Sequence, residues 1–176
     1  KYVKDAFKFG SGIYFSTISR FANDKLILFI VNFFGGVMAV GLYTIAQALT
    51  ERLYLIADAV GTMLMPKIAE NPEVNSHIIT PFLFKLTFLV VASISIALMF
   101  LSEWLVNFIY TSEFSGSVEI MQILLVSVIF SSGWRILSQD LNARSMTKEV
   151  AVIDMIISVL SLSTAMVLLP IMGLVG

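Results

Sequence analysis

The sequence predicts an all-α fold: a polytopic membrane helix bundle with about five transmembrane helices. Three observations carry this. Hydrophobic residues make up 58% of the 176-residue chain and charged residues only 13%, about half the roughly 25% charge typical of a soluble domain. Mean hydropathy is +0.93. Five apolar stretches each reach the roughly 20 residues that span a ~30 Å hydrocarbon core as a helix. The same composition excludes disorder. A membrane β-barrel needs ~10-residue segments of alternating polarity, and the run from Leu83 to Ala92 does not sustain that alternation.

The five spans follow in order. The first covers about 9–34, after a leader with Lys1, Lys4 and Lys8, and stops at Gly35-Gly36. It is too long, and too ionic inside, for a cleaved signal peptide. The second covers 39–65, with Pro66 behind it. The third covers 82–101 and opens at Pro81, after a loop holding Pro72. Ser115-Gly116-Ser117 separates it from the fourth, 118–139. The fifth covers 150–169 and closes at Pro170. Proline clashes inside a helix but is tolerated at its first turn and beyond its end, so all four prolines are expected at span limits. Lys1 in place of Met, and a terminus (Met172-Gly173-Leu174-Val175-Gly176) without a closing signal, predict a piece of a longer chain.

Basic residues set the expected sidedness. They occupy the leader, the loop after the second span (Lys67, with Lys85 close by) and the loop after the fourth (Arg144, Lys148). The intervening segments hold none. By the positive-inside rule the start is cytoplasmic and the end is outside. Trp104, Phe108 and Tyr110 fit an outer aromatic belt.

Charge inside the spans is the functional signal. A charged side chain at the bilayer centre costs at least ~2.5–3.5 kcal/mol. Yet Arg20, Asp24 and Lys25 lie about halfway along the first span, and Glu51 and Arg52 about halfway along the second. At ~100° per residue, Ser16, Thr17, Arg20, Asn23 and Asp24 form one polar stripe, and Gln47, Glu51, Tyr54, Asp58 and Thr62 another. Arg20 and Asp24, one turn apart, can pair within their helix. Lys25 and Arg52 point off the stripes and need another partner. The expected arrangement is a wet central chamber lined by all five charges, three positive against two negative, which favours an anionic ligand. The alternative is a set of structural ion pairs locking two helices.

The third span lacks such a stripe and reads as lipid-facing packing. On the fourth, Ser132, Arg135 and Gln139 share a stripe, with Ser127, Ser131, Trp134 and Ser138 beside it, and Arg135 lies close enough to the end to snorkel to headgroups. On the fifth, Asp154 reads as a helix-start charge favoured by the macrodipole, in line with Ser158, Ser161 and Ala165. Gln47, Arg135 and Asp154 are secondary site candidates. No catalytic constellation and no phosphate-binding loop is present. With no cysteine and one histidine, His77, no thiolate or His-rich metal site can form. No cofactor is implied. A net charge of −1 gives no footprint for nucleic acid.

Several runs resemble the polysaccharide-flippase branch of the multidrug/oligosaccharidyl-lipid/polysaccharide exporter superfamily. These are Asp24-Lys25-Leu26-Ile27-Leu28, Gly35, Val40-Gly41-Leu42-Tyr43-Thr44-Ile45-Ala46-Gln47, Glu51-Arg52-Leu53 and Leu64-Met65-Pro66-Lys67. Phe108-Ile109-Tyr110-Thr111-Ser112-Glu113-Phe114 is similar to an outer-loop motif of that branch, with Thr111 in place of glycine. The stretch from Leu141 to Gly173 is similar to a later helix, with Ala143-Arg144 replacing glycine-arginine. The resemblance implies the first part of the second lobe of a two-lobed exporter in a bacterial cytoplasmic membrane, with the first lobe elsewhere in the same chain. Its implied substrate is a lipid-linked oligosaccharide, an undecaprenyl-pyrophosphate glycan of the O-antigen kind, moved by alternating access. Arg20, Lys25 and Arg52 then meet the pyrophosphate, while Asp24, Glu51 and Asp58 couple a cation (Na⁺ or H⁺) or pair charges. Two readings compete: a cation-coupled multidrug exporter of the same superfamily, whose cavity would be more acidic or aromatic, and a non-transporting membrane scaffold, whose charges would be dry and fully paired.

Overall fold

The computed structural model describes residues 2–173, with side chains described for 10–71, 76–111, 113–171 and 173. The side chains of Lys1, Lys4 and Lys8 lie outside that set. Among the described residues the chain is helix and short turns, with no strand.

A first helical run, Tyr2–Thr50, breaks at Gly36, where φ is 73° and ψ −175°. That left-handed φ is open to glycine and costly for residues with a Cβ. We label the leg before the break α1 (2–35). The leg after it, α2 (37–70), passes through a 3₁₀ turn at Glu51–Leu53 into Tyr54–Glu70. The others are α3 (Pro72–Ile109), α4 (Ser117–Ala143) and α5 (Thr147–Met172).

The break is a reversal. A straight helix would hold Asp24 and Glu51 about 40 Å apart at ~1.5 Å per residue, yet both line one cavity. Ile30 and Val31 before the break share a core cluster with Ala39 after it. Among the described residues, four helical runs are long and apolar enough to cross a membrane, the first of them Gly10–Glu70. Folding that run at Gly36 makes five crossing helices, in agreement with the composition.

The prolines are a correction. Pro66, Pro81 and Pro170 sit inside helices, not at their limits. The helices outrun the apolar spans: α3 reaches from Pro72 to Ile109, well beyond the expected 82–101. Each proline deletes one ladder hydrogen bond. At the edge of the hydrocarbon, water can satisfy the freed carbonyl, so the helix continues.

In lipid, helices gain little from hydrophobicity and associate through close packing of small residues. Gly12, Gly61 and Gly133 fill that role. A Cβ on Gly61 would meet the Gln139 side chain at 2.7 Å, and one on Gly133 the Phe84 ring at 2.8 Å. At Gly12 it would meet the Thr147 hydroxyl at 2.4 Å and the Thr147 backbone carbonyl carbon at 2.9 Å. Gly12 thus marks the α1–α5 crossing, Gly61 the α2–α4 crossing and Gly133 the α3–α4 crossing. Farther along, Thr80 donates to Asp140 at 2.7 Å and ties α3 to α4.

Gly12→Ala is expected to lower stability by about 1–3 kcal/mol, the usual cost of overpacking, because backbone atoms of Thr147 cannot swing aside. Gly10→Ala, with nothing within 4 Å of the added atom, is expected to be neutral. Thermal unfolding of the two variants in one detergent checks the difference.

Candidate functional site

The polar stripes of α1 and α2 meet α4 and α5 around a cavity of about 600 Å³. Among the described residues, helix α3 contributes none to the lining. Among the described residues, six ionic side chains line the cavity: Arg20, Asp24, Glu51, Asp58, Arg135 and Asp154.

Asp154 is the most buried of them, with a side chain only 4% exposed. Arg20 reaches it from α1, with Nε 3.0 Å from Oδ2 and Nη2 3.3 Å from Oδ1. From α4, Trp134 donates its indole N–H to Oδ1 at 2.8 Å. The Ser16 hydroxyl donates to Oδ2. Arg20 Nη2 also lies 3.5 Å from the Ser138 hydroxyl. Three helices thus converge on one carboxylate. A buried carboxylate needs such partners, because stripping it of water is expensive and only charge-assisted hydrogen bonds offset the loss.

A second pair lies across the cavity. Arg135 Nη1 is 2.8 Å from both oxygens of Asp58, and its guanidinium stacks over the Tyr54 ring at 4.1 Å. The flat, delocalised guanidinium suits both contacts at once.

Asp24 and Glu51 stay outside these pairs. Gln47 donates to Glu51 Oε1 at 2.5 Å. Asp24 has no hydrogen bond or ion pair among the described residues, though it feels the charges of Glu51, Arg135, Lys25 and Arg20. Glu51 sits at the 3₁₀ turn, where the Thr50 hydroxyl donates back to the carbonyls of Ala46 and Gln47 at 3.0 and 3.1 Å. Such back-bonding competes with the helical ladder and bends it.

The first 119 of the 176 residues match the family model described as polysaccharide biosynthesis protein. The chain belongs to this family. No curated protein matches it significantly, and neither does any solved structure. Within the polysaccharide biosynthesis family match lie α1, α2, α3 and the first turn of α4, and so Arg20, Asp24, Lys25, Glu51, Arg52 and Asp58. Arg135, Asp154 and the 141–173 stretch lie beyond it. Five crossing helices and this family membership describe a multi-pass membrane protein.

The cavity departs from the sequence reading in four ways. Arg20 pairs with Asp154 and not with Asp24, because Asp154 approaches from α5 in a drier place. Asp154 is an inter-helix tie, not a helix-start charge. Arg135 does not snorkel; it turns inward to Asp58. Lys25 and Arg52 are absent from the cavity lining. Both are exposed on the outer surface of the bundle, Lys25 over the Phe21 ring at 5.5 Å. The cavity therefore holds two cations against four carboxylates, where three cations against two carboxylates were expected. After the two pairs form, Asp24 and Glu51 remain.

Thr17 and Thr62, also on the predicted stripes, face away and bond to the carbonyls of Ile13 and Ala59. Sequence reasoning missed Tyr43 and Thr50 as lining residues and Trp134 as a donor to Asp154. The signal for Trp134 was present: Ser127, Ser131, Trp134 and Ser138 recur at helical spacing, a polar ribbon inside a membrane helix.

Asp154→Asn is expected to cost about 2–4 kcal/mol. Breaking a buried pair costs roughly 3–5 kcal/mol, discounted here because the Arg20 side chain is 37% exposed and partly screened. Asp24→Asn, which breaks no hydrogen bond, is expected to leave the melting temperature within error. Parallel melts in detergent check both.

Proposed function

We propose that this chain is part of a flippase that moves a lipid-linked oligosaccharide, an undecaprenyl-pyrophosphate glycan, across a bacterial cytoplasmic membrane by alternating access. The observation that carries the reading is the placement of Lys25 and Arg52. At ~1.5 Å per residue Lys25 lies about 16 Å from the Gly36 turn, midway through a ~30 Å core, and Arg52 about 24 Å from it, toward the far side of that core. Neither has an ion pair among the described residues, and both are exposed on the bundle surface. Cations at that depth are costly against acyl tails. A pyrophosphate-bearing substrate, taken between this bundle and a first lobe elsewhere in the chain, would supply the missing negative charge. With the start cytoplasmic, the Gly36 turn lies outside and the turn at 144–146, which joins α4 to α5 through Ser145, lies inside.

Asp24 and Glu51 fit the coupling role in this reading, holding Na⁺ or H⁺ in the cavity while Lys25 and Arg52 face the substrate. The excess of carboxylates, together with Tyr43, Tyr54 and Trp134 in the lining, favours a second reading, a cation-coupled multidrug exporter of the same superfamily. The scaffold reading is disfavoured because two of the six cavity charges are left without an ionic partner.

In the full-length protein, Arg52→Ala and Lys25→Ala are expected to reduce glycan export at least tenfold with unchanged protein in the membrane. Arg20→Ala is expected to lower the amount of inserted protein as well, because it strips Asp154 of its cation. Export assays normalised to membrane protein separate these outcomes, and normal export in both Arg52→Ala and Lys25→Ala would refute the substrate assignment. Asp24→Asn is expected to weaken the dependence of transport on the ion gradient. An unchanged dependence removes Asp24 from coupling.

A further inference from the structure

The apolar clusters divide the five helices into two groups. One cluster joins α2, α3 and α4 through Leu53, Val91, Val106, Met121 and Leu125. Another joins the same three helices through Leu64, Ile68 and Ile136, with Phe84 packed against them. Neither contains a residue of α1 or α5. Those two helices pack on each other: Gly12 against Thr147, Arg20 and Ser16 on Asp154, and Ser158 donating to the Ser19 carbonyl at 3.3 Å. The α1–α5 pair and the α2–α3–α4 group enclose the cavity between them.

The two groups touch differently at their two ends. At the Gly36 end the contact is apolar, with Ile30, Val31 and Leu169 against Ala39. Toward the Ser145 end, hydrogen bonds cross from one group to the other between Trp134 and Asp154 at 2.8 Å and between Arg20 and Ser138 at 3.5 Å. The covalent links are equally restricted. One is the turn at Gly36, where no atom comes within 4 Å of an added Cβ. The other is the turn at 144–146, where Ser145 takes a positive φ of 63°. Hinges are a few turn residues that absorb a change in φ and ψ, and both connections have that form.

We infer that the Asp154 node is a latch between the two groups. While Trp134 and Ser138 hold Asp154 and Arg20, the cavity is shut toward the Ser145 end. When they release, the α1–α5 pair turns about the Gly36 turn and the 144–146 turn, which keeps the start of α5 beside the end of α4, and the cavity opens at the Ser145 end between α1 and α2. The Arg20–Asp154 ion pair is carried along intact, since both residues belong to the moving pair. The charge stays compensated through the movement, which makes the opening affordable at membrane depth.

The test uses the full-length protein with any cysteines outside this segment replaced; the segment itself has none. A single cysteine, Ser127→Cys, reports from the cavity lining, and Ser93→Cys reports from an exposed position on α3. A membrane-impermeant maleimide is applied to sealed vesicles of each orientation. Adding Trp134→Phe, which keeps the ring packing and deletes the donor, is expected to raise labelling of Ser127→Cys about tenfold from the Ser145 face alone. Ser138→Ala is expected to raise it about threefold from that face, and it serves where Trp134→Phe fails to insert. Labelling of Ser93→Cys should not change. An unchanged rate in both variants overturns the latch, and so does an equal rise from both faces, which marks general loosening. The readout is accessibility and not transport, so it stands whatever the substrate proves to be.

Discussion

A carboxylate at membrane depth is tolerated only if its lost hydration is replaced, and Asp154 organises the bundle around that demand. It draws a guanidinium and a hydroxyl from α1 and an indole N–H from α4. None of these helices is bound to the others by hydrophobicity in the way a soluble core is, because lipid is as apolar as leucine. Close crossings at Gly12, Gly61 and Gly133 bring the backbones together. The Asp154 node and the Arg135–Asp58 pair then fix which faces look inward.

That arrangement also accounts for the cavity. Two polar stripes facing each other would collapse into paired contacts if acids and bases matched in number. Here the described lining holds two cations for four carboxylates, and the surplus carboxylates Asp24 and Glu51 stay outside the two ion pairs, beside a helix loosened into a 3₁₀ turn. A short 3₁₀ stretch within a longer helix often marks strain or a hinge. The charge is divided unevenly: the cavity keeps two carboxylates outside its ion pairs, while Lys25 and Arg52 are absent from its lining and exposed where, in our reading, another part of the protein and an anionic substrate meet this bundle.

Much of the fold was legible in the amino-acid order. Apolar run length and low charge content require membrane-crossing helices, since the hydrocarbon thickness sets a minimum length and unpaired backbone groups are prohibitive there. The number of helices and the reversal near Gly35-Gly36 follow from the same argument. So does the inward face of α1 and α2, because a polar stripe at helical spacing has to avoid lipid. Helix ends were misjudged at Pro66, Pro81 and Pro170, since hydropathy reports where lipid ends and not where the helix does.

The pairing of charges was decided by tertiary structure. Periodicity places Arg20 and Asp24 one turn apart, but it carries no information on a residue that arrives from a helix more than a hundred positions later. Asp154 wins Arg20 because it is drier and has two further donors converging on it. Arg135 turns inward for a similar reason, meeting Asp58 and Tyr54 instead of headgroups. Lys25 and Arg52 fall outside the cavity because they lie off the stripes, and only the packing of α4 and α5 shows where the lining stops. Order along the chain determined which residues had to escape lipid. The approach of distant helices determined which partner each one found.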